Sequence, residues 1–147
     1  MQETKSKKPL IEMRGIYKNF GSKVVHRGID LDVYPGEVLA LMGGSGCGKS
    51  VLLRMIVGLE KPDRGTIVFN GQNIEKLSEE ALVPIRKKIA YVFQYGALFD
   101  SFSIEENLAY PLVEHTNLSE EAIHEKVINT LDRLGLKGTE KLYPSDL

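Results

Sequence analysis

A single cysteine, Cys47, leaves this 147-residue sequence without an internal disulfide and fits a reducing compartment. Net charge is nearly absent too: 19 Lys and Arg against 20 Asp and Glu leave −1. That balance excludes a chain held to nucleic acid by bulk positive charge. Long apolar runs are missing, since the longest aliphatic stretch, Val38-Leu39-Ala40-Leu41-Met42, is far too short to span a bilayer. No apolar segment backs the Lys-rich start at 1–9, so no secretory signal is read there and those residues are expected to form a solvated tail. His26, His115 and His124 show no metal-ligand spacing, and surface or packing roles are expected for all three. No internal repeat appears. With 42% hydrophobic and 27% charged residues, what remains is an ordinary globular, cytoplasmic chain of about one domain.

Within it, short apolar segments from Leu10 to Val33 are broken by Gly15, Gly21 and Gly28, and Ile29–Val33 alternates as a half-buried strand should. Tyr34-Pro35-Gly36-Glu37 reads as a turn. Val38–Met42 and Ile89–Phe93 are continuously apolar, the pattern of strands buried on both faces. A helix is expected from Ser50 to about Val57 with Gly58 as its stop, then a strand over Thr66–Phe69 closed by the hairpin signal Asn70-Gly71. Ser78-Glu79-Glu80 starts a helix that Pro84 keeps short or kinked. Ser103-Ile104-Glu105-Glu106 is a capping box. A last helix, about Ser119 to Leu134, would bury Ile123, Val127, Leu131 and Leu134 and end at Gly135.

The segment joining the first apolar run to the helix behind it, Gly43-Gly44-Ser45-Gly46-Cys47-Gly48-Lys49-Ser50, fits the pattern G-x-x-x-x-G-K-[ST]. Chance produces such a match in roughly 0.5% of chains this long. Each residue type has a task. The glycines let consecutive backbone N–H groups turn inward around phosphate oxygens. Lys49 brings a compact cation to the outer phosphates, Ser50 offers a hydroxyl to Mg²⁺, and the helix N-terminus favours the anion. Cys47 contributes backbone only. The chain is read as a binder of a nucleoside triphosphate.

Residues 38–65 closely resemble the phosphate-loop region of ATP-binding subunits of ABC transporters. Two further positions match that family. Phe20, 29 positions before Lys49, corresponds to the aromatic that stacks on adenine, and Gln94, 45 positions after it, to a glutamine that contacts Mg²⁺ and the attacking water. The stretches 95–101 and 107–116 resemble the Mla and Mce type, which moves phospholipids between bacterial membranes, with amino-acid importers and lipoprotein-release ATPases as neighbours. The resemblance implies an α/β P-loop NTPase with a RecA-like core, an N-terminal antiparallel β subdomain and part of a helical subdomain, spanning 10–147. It implies ATP and Mg²⁺ as ligands, a permease docked through the loop after Gln94, a second ATP-binding subunit, and a place on the inner face of the cell membrane. Leu98 and Phe99 are expected as an exposed docking surface, the alternative being that both fold back into a local cluster.

Three of the family's parts have no counterpart: an apolar strand ending in Asp, the L-S-G-G-Q-like signature, and the switch histidine. Residues 142–147 resemble the stretch just before that signature, so the family domain is expected to be C-terminally incomplete here. A chain that binds nucleotide without hydrolysing it is the competing reading. A soluble ABC ATPase of translation or DNA repair is weaker, for want of a second phosphate loop. Without a strand beside Val38–Met42, marginal stability and aggregation are expected.

Overall fold

Alternation builds the first two strands. In β1 (Ile11–Phe20) the residues Met13, Ile16 and Lys18 face inward, and in β2 (Lys23–Val33) His26 is buried with Val25, Leu31 and Val33 half-buried. The computed structural model describes residues 8–94 and 96–147, so the tail expected over 1–9 falls, in residues 1–7, outside the described residues, as does Tyr95. β1 and β2 pair antiparallel, from Ile11 opposite Val33 to Phe20 opposite Lys23. Gly15 and Gly28 do not break the strands as expected. Both sit at register irregularities, and at the first the Gly15 N–H donates to Asp30 Oδ1 at 2.6 Å. A bulge absorbs the extra residue and sharpens the twist while the strand continues.

The other edge of β1 pairs with β3 (Arg64–Phe69), and β3 with the short β4 (Gln72–Asn73), which gives the order β2-β1-β3-β4, antiparallel throughout. Between β3 and β4, Asn70 and Gly71 both have positive φ (48° and 81°), as a tight type I′ turn requires. Against this sheet pack α1 (Lys49–Ile56) and α2 (Glu79–Arg86). Their Leu52, Met55, Ile56, Leu82 and Ile85 close a core with Met13, Ile16, Ile67, Phe69 and Ile74. Each such side chain contributes about 1.5–3 kcal/mol by leaving water. α1 stops where expected. Gly58, at φ 70°, donates to the Met55 carbonyl at 3.1 Å, and Leu59 to that of Arg54 at 2.9 Å, the two bonds of a Schellman motif. α2 is capped by Ser78, whose Oγ accepts from the Ala81 N–H, and is short, eight residues including Pro84.

Two expected strands do not form. Residues 38–42 and 89–93 lie outside the sheet, with Val38 96% and Met42 93% exposed. Among the described residues no backbone hydrogen bond joins 38–42 to a neighbouring strand. Hydrophobic sequence is not sufficient for a strand buried on both faces; it also needs a ladder on its edges and a layer on each side. Only one side is furnished here. Leu39 and Leu41 lie with Ile11, Leu31, Val33, Leu53, Ile56, Ile89 and Tyr91 around an apolar cavity of about 250 Å³.

The chain divides into two compact units, one ending at Tyr91 and the other running from Val92 to Leu147. The second contains α3 (Ile104–His115) and α4 (Glu120–Arg133). The capping box at the start of α3 is complete: Ser103 Oγ accepts from the Glu106 N–H, and Glu106 accepts from the Ser103 N–H at 2.6 Å. Ile104, Ile123, Val127 and Leu131 form its core. Leu134, expected on that face, is 64% exposed. The helix ends there, the chain reverses at Gly135, and the N–H of Leu136 donates to the Leu131 carbonyl, so Leu136 packs against the core instead.

Candidate functional site

The phosphate-loop motif runs as an open loop into the first turn of α1. Gly48 is the pivot. It caps α1 with φ 100°, makes no side-chain cap, and is the one buried residue of the loop. A Cβ at this position would come within 2.5 Å of Val25 Cγ1 and 2.6 Å of His26 Cε1. Strand β2 therefore seats the loop through a contact that only glycine allows, by both space and dihedral angle. Since no carboxylate occupies the first turn of α1 and no side chain caps it, its first N–H groups remain directed at whatever enters the loop. The Lys49 ammonium donates to the carbonyls of Gly43 and Gly44, both at 2.8 Å, and lies 3.5 Å from Cys47 Sγ. Ser50, the second residue of α1, is exposed.

A cavity of about 390 Å³ opens over this loop, lined by Phe20, Lys23, Val25, Gly46, Gly48, Lys49, Ser50 and Val51. The structure thus brings Phe20, at the end of β1, to the same space as the loop, although 29 positions separate it from Lys49. The sequence reading missed Lys23, Val25 and Val51. Their only signal was position, since Lys23 and Val25 open the strand that returns from Phe20. Gly43, Gly44, Ser45 and Cys47 are exposed members of the loop. Gln94 belongs to the second unit, where it is exposed at a bend.

Two polar side chains lie beneath the loop and ring. His26 is buried, and among the described residues its Nε2 has no hydrogen-bond partner. Burial pushes its imidazole toward the neutral form, which the nearby Gly48 backbone only partly opposes. Lys18, opposite His26 in the ladder, is 9% exposed. Its ammonium meets Glu60 at 2.6 Å, the Lys61 carbonyl at 2.7 Å and Asp63 at 3.7 Å, and lies 5.1 Å from the centre of the Phe20 ring. Asp63 in turn accepts from the Asn19 backbone N–H at 2.7 Å and from its side chain at 3.0 Å, contacts that hold its carboxyl below the usual range. His124, by contrast, takes the expected surface role, 2.6 Å from Glu105.

In the second unit, Leu98 and Phe99 are half exposed, as expected. Phe99 is not loose: it packs on Phe102 and Tyr110 with ring centres 5.0 and 5.3 Å away. Asn107 Oδ1 accepts from the Phe99 N–H at 2.7 Å, while its amide donates to the carbonyls of Phe99, Phe102 and Ser103.

The chain is 42% identical over 138 residues to the "Intermembrane phospholipid transport system ATP-binding protein MlaF" of Escherichia coli, covering 94% of this chain and 51% of that protein. It is also 42% identical over 137 residues to the "Probable ribonucleotide transport ATP-binding protein mkl" of Mycobacterium leprae, covering 93% of this chain and 40% of that one. The chain thus spans about half the length of these curated relatives. Among solved structures it is similar to a dimeric ATP-binding cassette in a post-hydrolysis state bound to ADP and Pi. The TM-score is 0.82 at 26% identity, covering 93% of this chain and 62% of that one. The fold is accordingly that of an ABC-type P-loop NTPase, entered through an antiparallel N-terminal sheet. A profile of the ABC transporter family matches residues 26–146, which include the whole phosphate loop: the chain belongs to that family.

Proposed function

We propose that the chain is the nucleotide-binding part of an ABC transporter ATPase, holding ATP with Phe20 against adenine and Gly43–Ser50 around the phosphates. One observation carries this reading: a single cavity is lined both by an exposed aromatic, Phe20, and by Gly46, Gly48, Lys49 and Ser50 of the phosphate loop. An aromatic face offers a base about 1–3 kcal/mol of stacking. The loop N–H groups and the α1 N-terminus accept the phosphate charge, and Lys49 exchanges its two carbonyl partners for phosphate oxygens. Mg²⁺ fits this donor set. The exposed Ser50 hydroxyl supplies one hard oxygen, and phosphate oxygens and water complete the shell, as Mg²⁺ ordinarily prefers. Bound there, the ion would neutralise phosphate charge as the terminal phosphoryl group departs.

The transport role is supported by the relatives. MlaF favours a phospholipid cargo and mkl a ribonucleotide one. We favour lipid, on the resemblance of 95–101 and 107–116 to the Mla type. Partnership with a permease through the loop after Gln94 is supported by the exposed Leu98 and the exposed, braced Phe99, and pairing with a second ATP-binding subunit by the dimeric structural neighbour. A place at the inner membrane face belongs to the same reading and is supported by the likeness to MlaF; no described helix is long and apolar enough to cross a bilayer. For Gln94 the support is the sequence resemblance, and the test is Gln94→Ala, which should spare binding and slow turnover.

A second reading, binding without hydrolysis, is favoured by the cavity lining, which among the described residues holds no carboxylate to activate water. Titration with ATP and a phosphate-release assay separate the two. Lys49→Ala should weaken ATP binding about tenfold or more with an unchanged melt. Phosphate release that depends on Lys49 selects the ATPase reading, and binding with no release selects the second.

A further inference from the structure

Lys18 is the least expected residue in the first unit, a cation nine-tenths buried on the face of β1 that otherwise carries Met13 and Ile16. Burying an ammonium is unfavourable unless it is paired, and this one is paired on one side only. Glu60, the Lys61 carbonyl and Asp63, all from the turn that follows α1, gather around it. Its remaining side faces the ring of Phe20 at 5.1 Å. Phe20 itself is 47% exposed and lines the nucleotide cavity. The ring thus has a fixed cation on one side and open space for a ligand within the same cavity.

We propose that Lys18 is a positioning residue that sets how strongly a base contributes to binding at this site, by acting through Phe20. A cation against an aromatic ring draws its π electrons toward itself. The outer face becomes less negative, which favours stacking with an electron-rich amino-purine such as adenine. The same contact fixes the ring's tilt. Because the carboxylates holding Lys18 belong to the turn after α1, the base platform is tied to the helix that begins at the phosphate loop, and the two ends of the ligand are read by one connected framework. The inference rests on the reading of Phe20 as the base platform given above.

The test compares two probes on the 147-residue chain with Mg²⁺: ATP, which has a base, and inorganic tripolyphosphate, which has none. Lys18→Met keeps the bulk of the side chain and removes the charge. It should lower ATP affinity about fivefold and leave tripolyphosphate affinity unchanged, and Lys18→Arg should restore the ATP preference. Equal weakening of both probes, or no change in either, would overturn the proposal, because a purely structural ion pair has no way to sense the base. Phe20→Leu separates this inference from the reading beneath it. If that variant keeps the full preference for ATP over tripolyphosphate, the platform reading fails and takes Lys18 with it. If Phe20→Leu loses the preference and Lys18→Met keeps it, only the role of Lys18 fails. Should Lys18→Met lose its cooperative melt, Glu60→Gln is read instead. It loosens the ammonium without removing it and should reduce the ATP preference about twofold, and an unchanged preference counts against the proposal.

Discussion

Strand β3 and the segment 38–42 are both apolar and both belong to the first unit, yet only one is a strand. In β3, Ile67 is 1% and Phe69 6% exposed, because β1 lies on one edge and β4 on the other. In 38–42, Val38 and Met42 stand almost fully in solvent. The difference is not hydrophobicity. Paired edges let β3 satisfy its backbone while it buries side chains, whereas 38–42 would have to bury unpaired N–H and carbonyl groups to do the same. Apolar sequence therefore nominates a strand, and the neighbours decide.

The sharpest way to break this comparison is to truncate one residue on each side of it. Ile67→Ala should cost about 3 kcal/mol, read as a lower melting temperature or loss of the cooperative transition. A cost as small as that of a surface change would show that the sheet is not what holds the unit together. Gly48→Ala tests the seat between sheet and loop. A side chain there is strained at φ 100° and collides with Val25 and His26, so a loss of about 2 kcal/mol, together with weaker ATP binding, is expected by denaturation and titration.

Acid should act on the sheet side as well. The pKa of His26 is lowered from its ordinary 6.5 by burial, so the unfolded chain takes up a proton that the folded chain refuses. Stability is then complete above about pH 6.5 and falls as pH drops below it toward the lowered native value. Melts at pH 7.5 and 5.5 should show this, and His26→Leu should flatten that slope. The smallest effect belongs to 38–42, where Val38→Ser should change stability by less than about 0.5 kcal/mol. A larger loss would mean that this segment is packed in solution and that the comparison does not hold.

Local chemistry was what the sequence made legible. The capping box at Ser103, the helix starts at Ser78 and near Ser119, the stop at Gly58 and the Asn70-Gly71 turn could be placed because each depends on residues within one turn of each other. The phosphate loop was readable for the same reason. What stayed hidden depends on residues brought from afar. Nothing near Lys18 in the sequence signals that Glu60 and Asp63, far along the chain, close on it, and nothing near Val25 signals that it would lie under Gly48. Leu134 failed in the other direction. Its helical spacing is right, but the helix stops at Arg133 and the turn at Gly135 hands its place to Leu136.

Asn107 binds the loop from Phe99 to Ser103 at four points with one side chain, from the first turns of α3. Mechanically, that makes the loop a handle and not a spring. A force applied at Phe99 cannot be dissipated by bending the few residues between it and the helix, because their carbonyls are held to the same amide. It passes instead to α3 through Asn107, and replacing Asn107 by a side chain that cannot hold those bonds would turn a stiff linkage into a slack one.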